Sequence, residues 1–182
     1  MKEVVYSVLN KAQTVIASLV MGCQHTKAIN EVLGEEAITA NYLGMFRFPE
    51  QSQINRYLTR FSESNVAELG QVHKQVFIRQ SQARRAVGQI MVDIDQCSLV
   101  VNGKTYELAR KGYFPRKRGE IGYQLSVAYV GAYEEAVQLY LDPGNSHCGS
   151  RWTDILRDLE ECLTNDNPGA CLIRRLDAGY LP

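Results

Sequence analysis

Asp93 and Asp95 stand two residues apart inside the apolar run Ile90-Met91-Val92-Asp93-Ile94-Asp95-Gln96-Cys97-Ser98-Leu99-Val100-Val101. In an extended strand such a pair shares one face. An ionised carboxylate inside a strand is costly unless it is hydrated, paired or bound to a metal. The pair therefore reads either as a solvated strand end or as half of a metal site. A third carboxylate, Asp177, follows Leu172-Ile173-Arg174-Arg175-Leu176 and precedes Ala178-Gly179-Tyr180. There it would end a short apolar strand, and open α/β sheets place their sites at the carboxyl ends of parallel strands. The alternative is an aspartate that opens a turn before Gly179. If the two strands are neighbours, Asp177 and Asp95 converge. No cysteine or histidine stands at ligand spacing, so such a donor set suits a hard, oxygen-seeking ion such as Mg²⁺.

Basic residues come next. Lys104, Arg110, Lys111, Arg116, Lys117 and Arg118 face only Glu107 between positions 104 and 118, giving +6 and −1, or +5 locally, in a chain of zero net charge. Tyr106, Tyr113 and Phe114 are interleaved with them. This pattern suits phosphate contacts with base stacking, against the alternative of a solvated loop. Arg79, Arg84 and Arg85 form a second basic run, and Arg47, Arg56 and Arg60 a third. The third is compatible with a helix-turn-helix reader or with an ordinary helical bundle. His25, His73 and His147 are scattered, and Cys97 has no evident base partner, so thiol catalysis is not expected.

The elements that must position these groups follow from periodicity. Up to residue 86 the pattern is helical. A first stripe runs from Val4 to Val20 and stops at Gly22. A short helix through Ile29, Val32 and Leu33 is expected between Thr26 and Gly34. Pro49 and Ser52 open another, with Ile54, Tyr57, Leu58 and Phe61 on one side. Asn65 is expected to cap a longer helix with Val66, Leu69, Val72, Val76 and Phe77 inward. Beyond residue 86 the pattern becomes β-rich. Asn102-Gly103 predicts a hairpin returning through Lys104–Leu108. Tyr123–Val130 and Ala136–Leu141 read as a second strand pair, and Pro143-Gly144-Asn145 as a turn. Trp152, Ile155, Leu156, Leu159 and Leu163 read as a helix capped by Ser150, and Ala170–Leu176 as a last strand. The final strand–helix–strand step predicts a crossover to a parallel neighbour. The expected fold class is therefore α/β: a helical N-terminal domain over 1–86, then a mixed sheet with a crossover helix over 87–182.

Composition sets the outer bounds. With 182 residues, 45% hydrophobic and 22% charged, the chain suits one medium domain or two small ones. Five widely spaced cysteines, at 23, 97, 148, 162 and 171, form no CxxC pair, which predicts reduced thiols in a cytoplasmic setting. The apolar stretch Val15–Met21 is too short to span a bilayer, and no signal peptide is read.

Taken in order, several of these segments resemble bacterial insertion-sequence DDE transposases. They are Val92-Asp93-Ile94-Asp95-Gln96-Cys97, Gly103-Lys104, Lys111-Gly112-Tyr113-Phe114-Pro115-Arg116-Lys117 with Tyr123, Leu141-Asp142-Pro143-Gly144-Asn145-Ser146-His147, and Ile173-Arg174-Arg175-Leu176-Asp177-Ala178-Gly179-Tyr180. Phe48-Pro49-Glu50-Gln51-Ser52-Gln53-Ile54-Asn55-Arg56-Tyr57-Leu58 is similar to part of the family's N-terminal region. The resemblance implies a partial RNase H-like fold. It also implies that Asp95 is the first catalytic and metal-binding acid, Asp93 a noncatalytic companion, and Asp177 the second acid. Gln96-Cys97 departs from the family's usual Ser/Thr-type pair.

The implied chemistry is two-metal phosphodiester hydrolysis and strand transfer at insertion-sequence ends, with Mg²⁺ or Mn²⁺ as cofactor. The implied partners are double-stranded DNA, as terminal repeats and target, and further copies of the chain. The implied setting is the cytoplasm, on the nucleoid when DNA is bound. The family's third acid, a Glu, has no position before Pro182. The 182 residues are thus expected to be a fragment that neither cleaves nor joins DNA efficiently alone. Two other readings stand beside this one: a catalytically inactive truncated transposase acting as a DNA-binding or regulatory protein, and a nuclease of the same fold.

Overall fold

The computed structural model describes residues 5–103, 105–112, 114 and 119–176. Its contacts divide the chain into two compact units, Met1–Glu68 and Leu69–Pro182.

The first unit is helical. Helix α1 (Val8–Val20) starts at a capping box: the Ser7 Oγ accepts from the Asn10 N–H at 3.0 Å, and the Asn10 Oδ1 accepts from the Ser7 N–H at 3.1 Å. Gly22, at φ +76°, takes the left-handed conformation just past its end. Its buried face is small and polar. Thr14 and Ser18 are buried, and their hydroxyls donate to the carbonyls of Asn10 and Val15. Val8, Leu9, Ile16, Leu19 and Val20 are exposed. In place of the expected second helix there is a π-helical turn, Ile29–Leu33, followed by α2 (Ala37–Tyr42), which periodicity did not reveal. Helix α3 (Gln51–Leu58) follows Pro49 as expected. Ile29, Leu33, Ala40, Met45, Phe48 and Ile54 form this unit's core.

Helix α4 (Glu63–Gln80) begins earlier than its expected Asn65 cap. Asn65 instead reaches back from the first turn, its Oδ1 accepting from the Ser62 N–H at 3.1 Å. Its apolar stripe is also reversed from expectation. Phe77 is buried, but Val66, Leu69, Val72 and Val76 are exposed. The reason is Lys74, which is buried and ion-paired to Asp158 at 3.4 Å and to Glu161. The Asp158 carboxylate also accepts from the Tyr140 hydroxyl and from the Gln138 Nε2 at 3.2 Å. A buried cation held by two carboxylates fixes which side of the helix faces in, and the valines are left outside.

The second unit is built on a mixed sheet of β1 (Gly88–Val100), β2 (Arg110–Lys111), β3 (Ile121–Val130), β4 (Glu135–Pro143) and β5 (Ala170–Leu176). The order is β2-β3-β1-β5, and β4 pairs with β3. The β1–β3 and β3–β4 pairs are antiparallel, and β1–β5 is parallel. The chain crosses from β4 to β5 through α5 (Trp152–Leu159), as the strand–helix–strand pattern predicts. Ser150 is not its cap. It lies inside a preceding 3₁₀ turn, Cys148–Arg151, whose cap is His147: the Nδ1 accepts from the Gly149 N–H at 3.1 Å. The expected Asn102-Gly103 hairpin does not form either. β1 takes β3 as its antiparallel neighbour, and the short β2 pairs with β3. Ile90, Val92 and Ile94 of β1 pack with Ala128, Val130, Val137, Ile155, Leu159 and Leu163 in the core.

Candidate metal centre

Along β1 the side chains alternate as a half-buried strand must. Ile90, Val92 and Ile94 enter the core, and Asp93 and Asp95 share the opposite face. Their surroundings differ. Asp93 stands opposite Arg175 of β5 in the parallel register. The guanidinium grips it in a two-pronged ion pair, with Nη2 2.8 Å from Oδ2 and Nε on Oδ1. That contact holds the Arg175 guanidinium above its ordinary range. Asp95 is exposed, and its Oδ1 accepts only from the adjacent Gln96 N–H, at 2.8 Å, among the described residues. One carboxylate of the pair is neutralised, and the other is open to a ligand.

β5 runs alongside β1 towards Asp95. Its register ends with Leu176 opposite Ile94, so the residues just before Asp177 and Asp95 are partners. Asp177 itself lies outside the described residues, as do Lys104, Arg116, Lys117 and Arg118. Among the described residues there is no group of three or more His, Cys, Asp or Glu able to hold a metal. The donors that are present, carboxylate oxygens with no imidazole at ligand spacing, fit a hard divalent cation.

Of the basic segment, Arg110 and Lys111 are described, both exposed on β2. Arg110 pairs with Gly122, which in turn faces Val100, whereas Asp95 faces Val127. That is five positions along the strands and two strands across, about 20 Å in all from the standard spacings. The patch follows the carboxylate strand in sequence but does not adjoin Asp95 in space. β2 is held by close backbone packing. A Cβ on Gly112 would meet the Gly144 carbonyl oxygen at 1.7 Å, and a Cβ on Gly144 would meet the Arg110 oxygen at 2.3 Å. Phe114, fully buried, lies against the same turn.

Two supporting features were not legible beforehand. Asp142, buried at the end of β4, receives Arg151 through Nε at 2.9 and 3.0 Å, tying the sheet to the start of α5. Glu135 accepts from the Ser81 hydroxyl and from the N–H groups of Gln82, at 2.7 Å, and Ala83, at 3.2 Å. Burial alone would raise the Glu135 carboxyl; these hydrogen bonds outweigh it and hold it below its ordinary value. Each partner is far off in sequence, and an acidic residue of a strand end carries no mark of its distant partner.

A helical segment followed by a mixed sheet, with an acid-bearing first strand flanked by a parallel strand that returns through a crossover helix, defines the fold as mixed α/β. The chain belongs to the family described as Transposase DDE domain group 1, which matches residues 2–182. No curated protein matches it. Among solved structures it is similar to the chain of a pre-cleavage Mos1 transpososome, at 13% identity and a TM-score of 0.31, covering 100% of this chain and 56% of that one. It is likewise similar to the Mos1 strand transfer complex, at 14% identity and a TM-score of 0.31, covering 100% and 55%. The chain thus spans about half the length of those solved chains.

Proposed function

We propose that this chain is part of a DNA transposase that hydrolyses and transfers phosphodiester bonds at insertion-sequence ends, with Asp95 and Asp177 as metal-binding acids. Family membership supports the reaction class. The observation that carries the residue assignment is the contrast between Asp93, clamped by Arg175, and Asp95, two positions on along the same face and open. Bound between such acids, Mg²⁺ or Mn²⁺ supplies Lewis-acid activation of the attacking hydroxyl and charge stabilisation at the leaving oxygen. The chain's own residues hold and orient. Asp95 offers a carboxylate from a rigid central strand. The Arg175–Asp93 pair ties β5 to β1 and takes Asp93 out of competition for the ion.

Lys104, Arg110, Lys111, Arg116, Lys117 and Arg118 are proposed to contact the phosphates of terminal-repeat and target duplexes. The helical N-terminal region, proposed as a domain over 1–86, binds DNA or further copies of the chain. The protein works as a homo-oligomer in the cytoplasm, on the nucleoid when DNA is bound. No helix among the described residues is long and apolar enough to cross a membrane. The 182 residues alone are proposed to bind DNA and metal without efficient cleavage, because they offer two of the family's three acids.

The test is transposition of a marked element in cells, driven by the gene that encodes these residues. Asp95→Ala and Asp177→Ala each lower its frequency by roughly a hundredfold or more, while Asp93→Ala stays within about tenfold. Equal frequencies for Asp95→Ala and the parent would overturn the assignment.

A further inference from the structure

α4 turns an apolar stripe outward while its other side is fixed by Lys74 and Phe77. Leu69, Val72 and Val76 are 58%, 53% and 54% exposed. At the edge of that stripe, His73, Val76 and Gln80, with buried Phe77 at the floor, line a groove of about 190 Å³ together with Glu135 and Ala136. These four helix positions follow the spacing i, i+3, i+4, i+7, the diamond into which a side chain of a facing helix inserts in knobs-into-holes packing. One turn before it, Leu69 is an apolar side chain standing free, so a single helix carries both a knob and a hole.

The charges on α4 select the occupant. Glu63 and Glu68 are exposed towards its N-terminal end, and Arg79 is exposed in its last turn. A second α4 laid parallel would set like charges together; laid antiparallel, it sets unlike ones together. We infer that α4 is a self-association surface, where a second copy of this chain packs antiparallel about a two-fold axis between Val72 and His73. About that axis Leu69 of each copy faces Val76 and the groove of the other, and Glu68 comes within reach of Arg79. The contact is isologous and therefore closes at two copies. It gives a surface to the self-association proposed above, and it is independent of the metal-site assignment.

The experiment measures the mass of the 182-residue chain by light scattering and sedimentation over a wide concentration range. The wild-type chain passes from monomer to dimer. Leu69→Asp and Val76→Asp, each at an exposed position, keep the helical circular dichroism and raise the dissociation constant at least about tenfold. Arg79→Glu also weakens the dimer, and Glu68→Arg combined with Arg79→Glu restores it. Mixing Leu69→Cys with Val76→Cys chains gives an oxidised heterodimer above the background of the native cysteines. A dimer untouched by Leu69→Asp and Val76→Asp would overturn the α4 surface and leave self-association standing. A wild-type chain that stays monomeric throughout would overturn both. If the charge exchange fails to restore what Arg79→Glu loses, the antiparallel register is wrong.

Discussion

At the scale of single residues, the decisive contrast is between two aspartates that the strand pattern makes equivalent. Period-two alternation placed Asp93 and Asp95 on one face, as they are. Nothing local separates them, because the residue that does, Arg175, is 82 positions away and arrives only through the β1–β5 register. The family resemblance preferred Asp95, and Arg175 now offers a physical basis for that preference. Removing the clamp therefore has a signed consequence. In Arg175→Gln, Asp93 stands bare about 7 Å from Asp95, the spacing of alternate strand residues. The added negative charge, largely screened at this exposed site, should strengthen Mg²⁺ or Mn²⁺ binding about threefold. Calorimetric titration of that variant beside the wild type checks this; unchanged or weaker binding would mean that the metal does not sit on this face.

Elements were legible in proportion to how local their causes are. β3, β4, α5 and β5 carry their own periodicity, and all four form where expected. The expected hairpin through Lys104–Leu108 is absent because Asn102-Gly103 marks a turn without marking which strand returns, and β3 takes that edge of β1. The outward stripe of α4 departs from its periodicity because one buried lysine outweighs four apolar residues. Lys74→Ala would leave Asp158, itself buried, with only the Arg157 guanidinium at 3.7 Å as a cation, and should cost up to about 3 kcal/mol of stability by denaturant unfolding.

The same cluster sets a pH window. Burial raises the Asp158 carboxyl, but hydrogen bonds from Tyr140 and Gln138 and the Lys74 charge outweigh it and bring it below its ordinary 3.8. A group depressed on folding stabilises above its ordinary value, and that contribution is lost as the pH falls through the folded one. For Lys74, burial lowers the ammonium, but Glu161 and Asp158 outweigh it and raise it above 10.5. Its contribution is complete below that value and is lost as the pH rises through the folded one. Wild-type stability should therefore fall at both extremes, and Lys74→Ala should flatten the alkaline limb.

β2 gives a separate handle on DNA contact. Gly112→Ala meets the Gly144 carbonyl, so the strand bearing Arg110 and Lys111 must shift. Duplex affinity should drop roughly tenfold, the effect of losing a phosphate contact or two, with metal binding unchanged. Equal affinity in a mobility-shift assay would show that β2 does not meet DNA.

At the scale of the whole molecule, net charge is zero and only its distribution suggests a nucleic-acid partner. Overall composition could not reveal that, whereas the six basic residues of the 104–118 segment could. If those six carry the contact, log affinity for duplex DNA against log salt should have a slope of about −5, since each neutralised phosphate contributes about −0.9. A slope near zero would place the affinity elsewhere. The pairing of β5 alongside β1, which brings the chain before each acid into register, was legible only as a condition on topology; the structure meets it through α5.

In the proposed site Asp95 holds a divalent ion and Asp93 does not. Its most direct test is titration of Mn²⁺ into the 182-residue chain, following water-proton relaxation, for the wild type, Asp95→Ala and Asp93→Ala. Asp95→Ala should weaken binding at least about tenfold, the scale of a lost metal contact, and Asp93→Ala should leave it within a few-fold. Equal binding by Asp95→Ala and wild type, or loss in Asp93→Ala alone, would contradict the account.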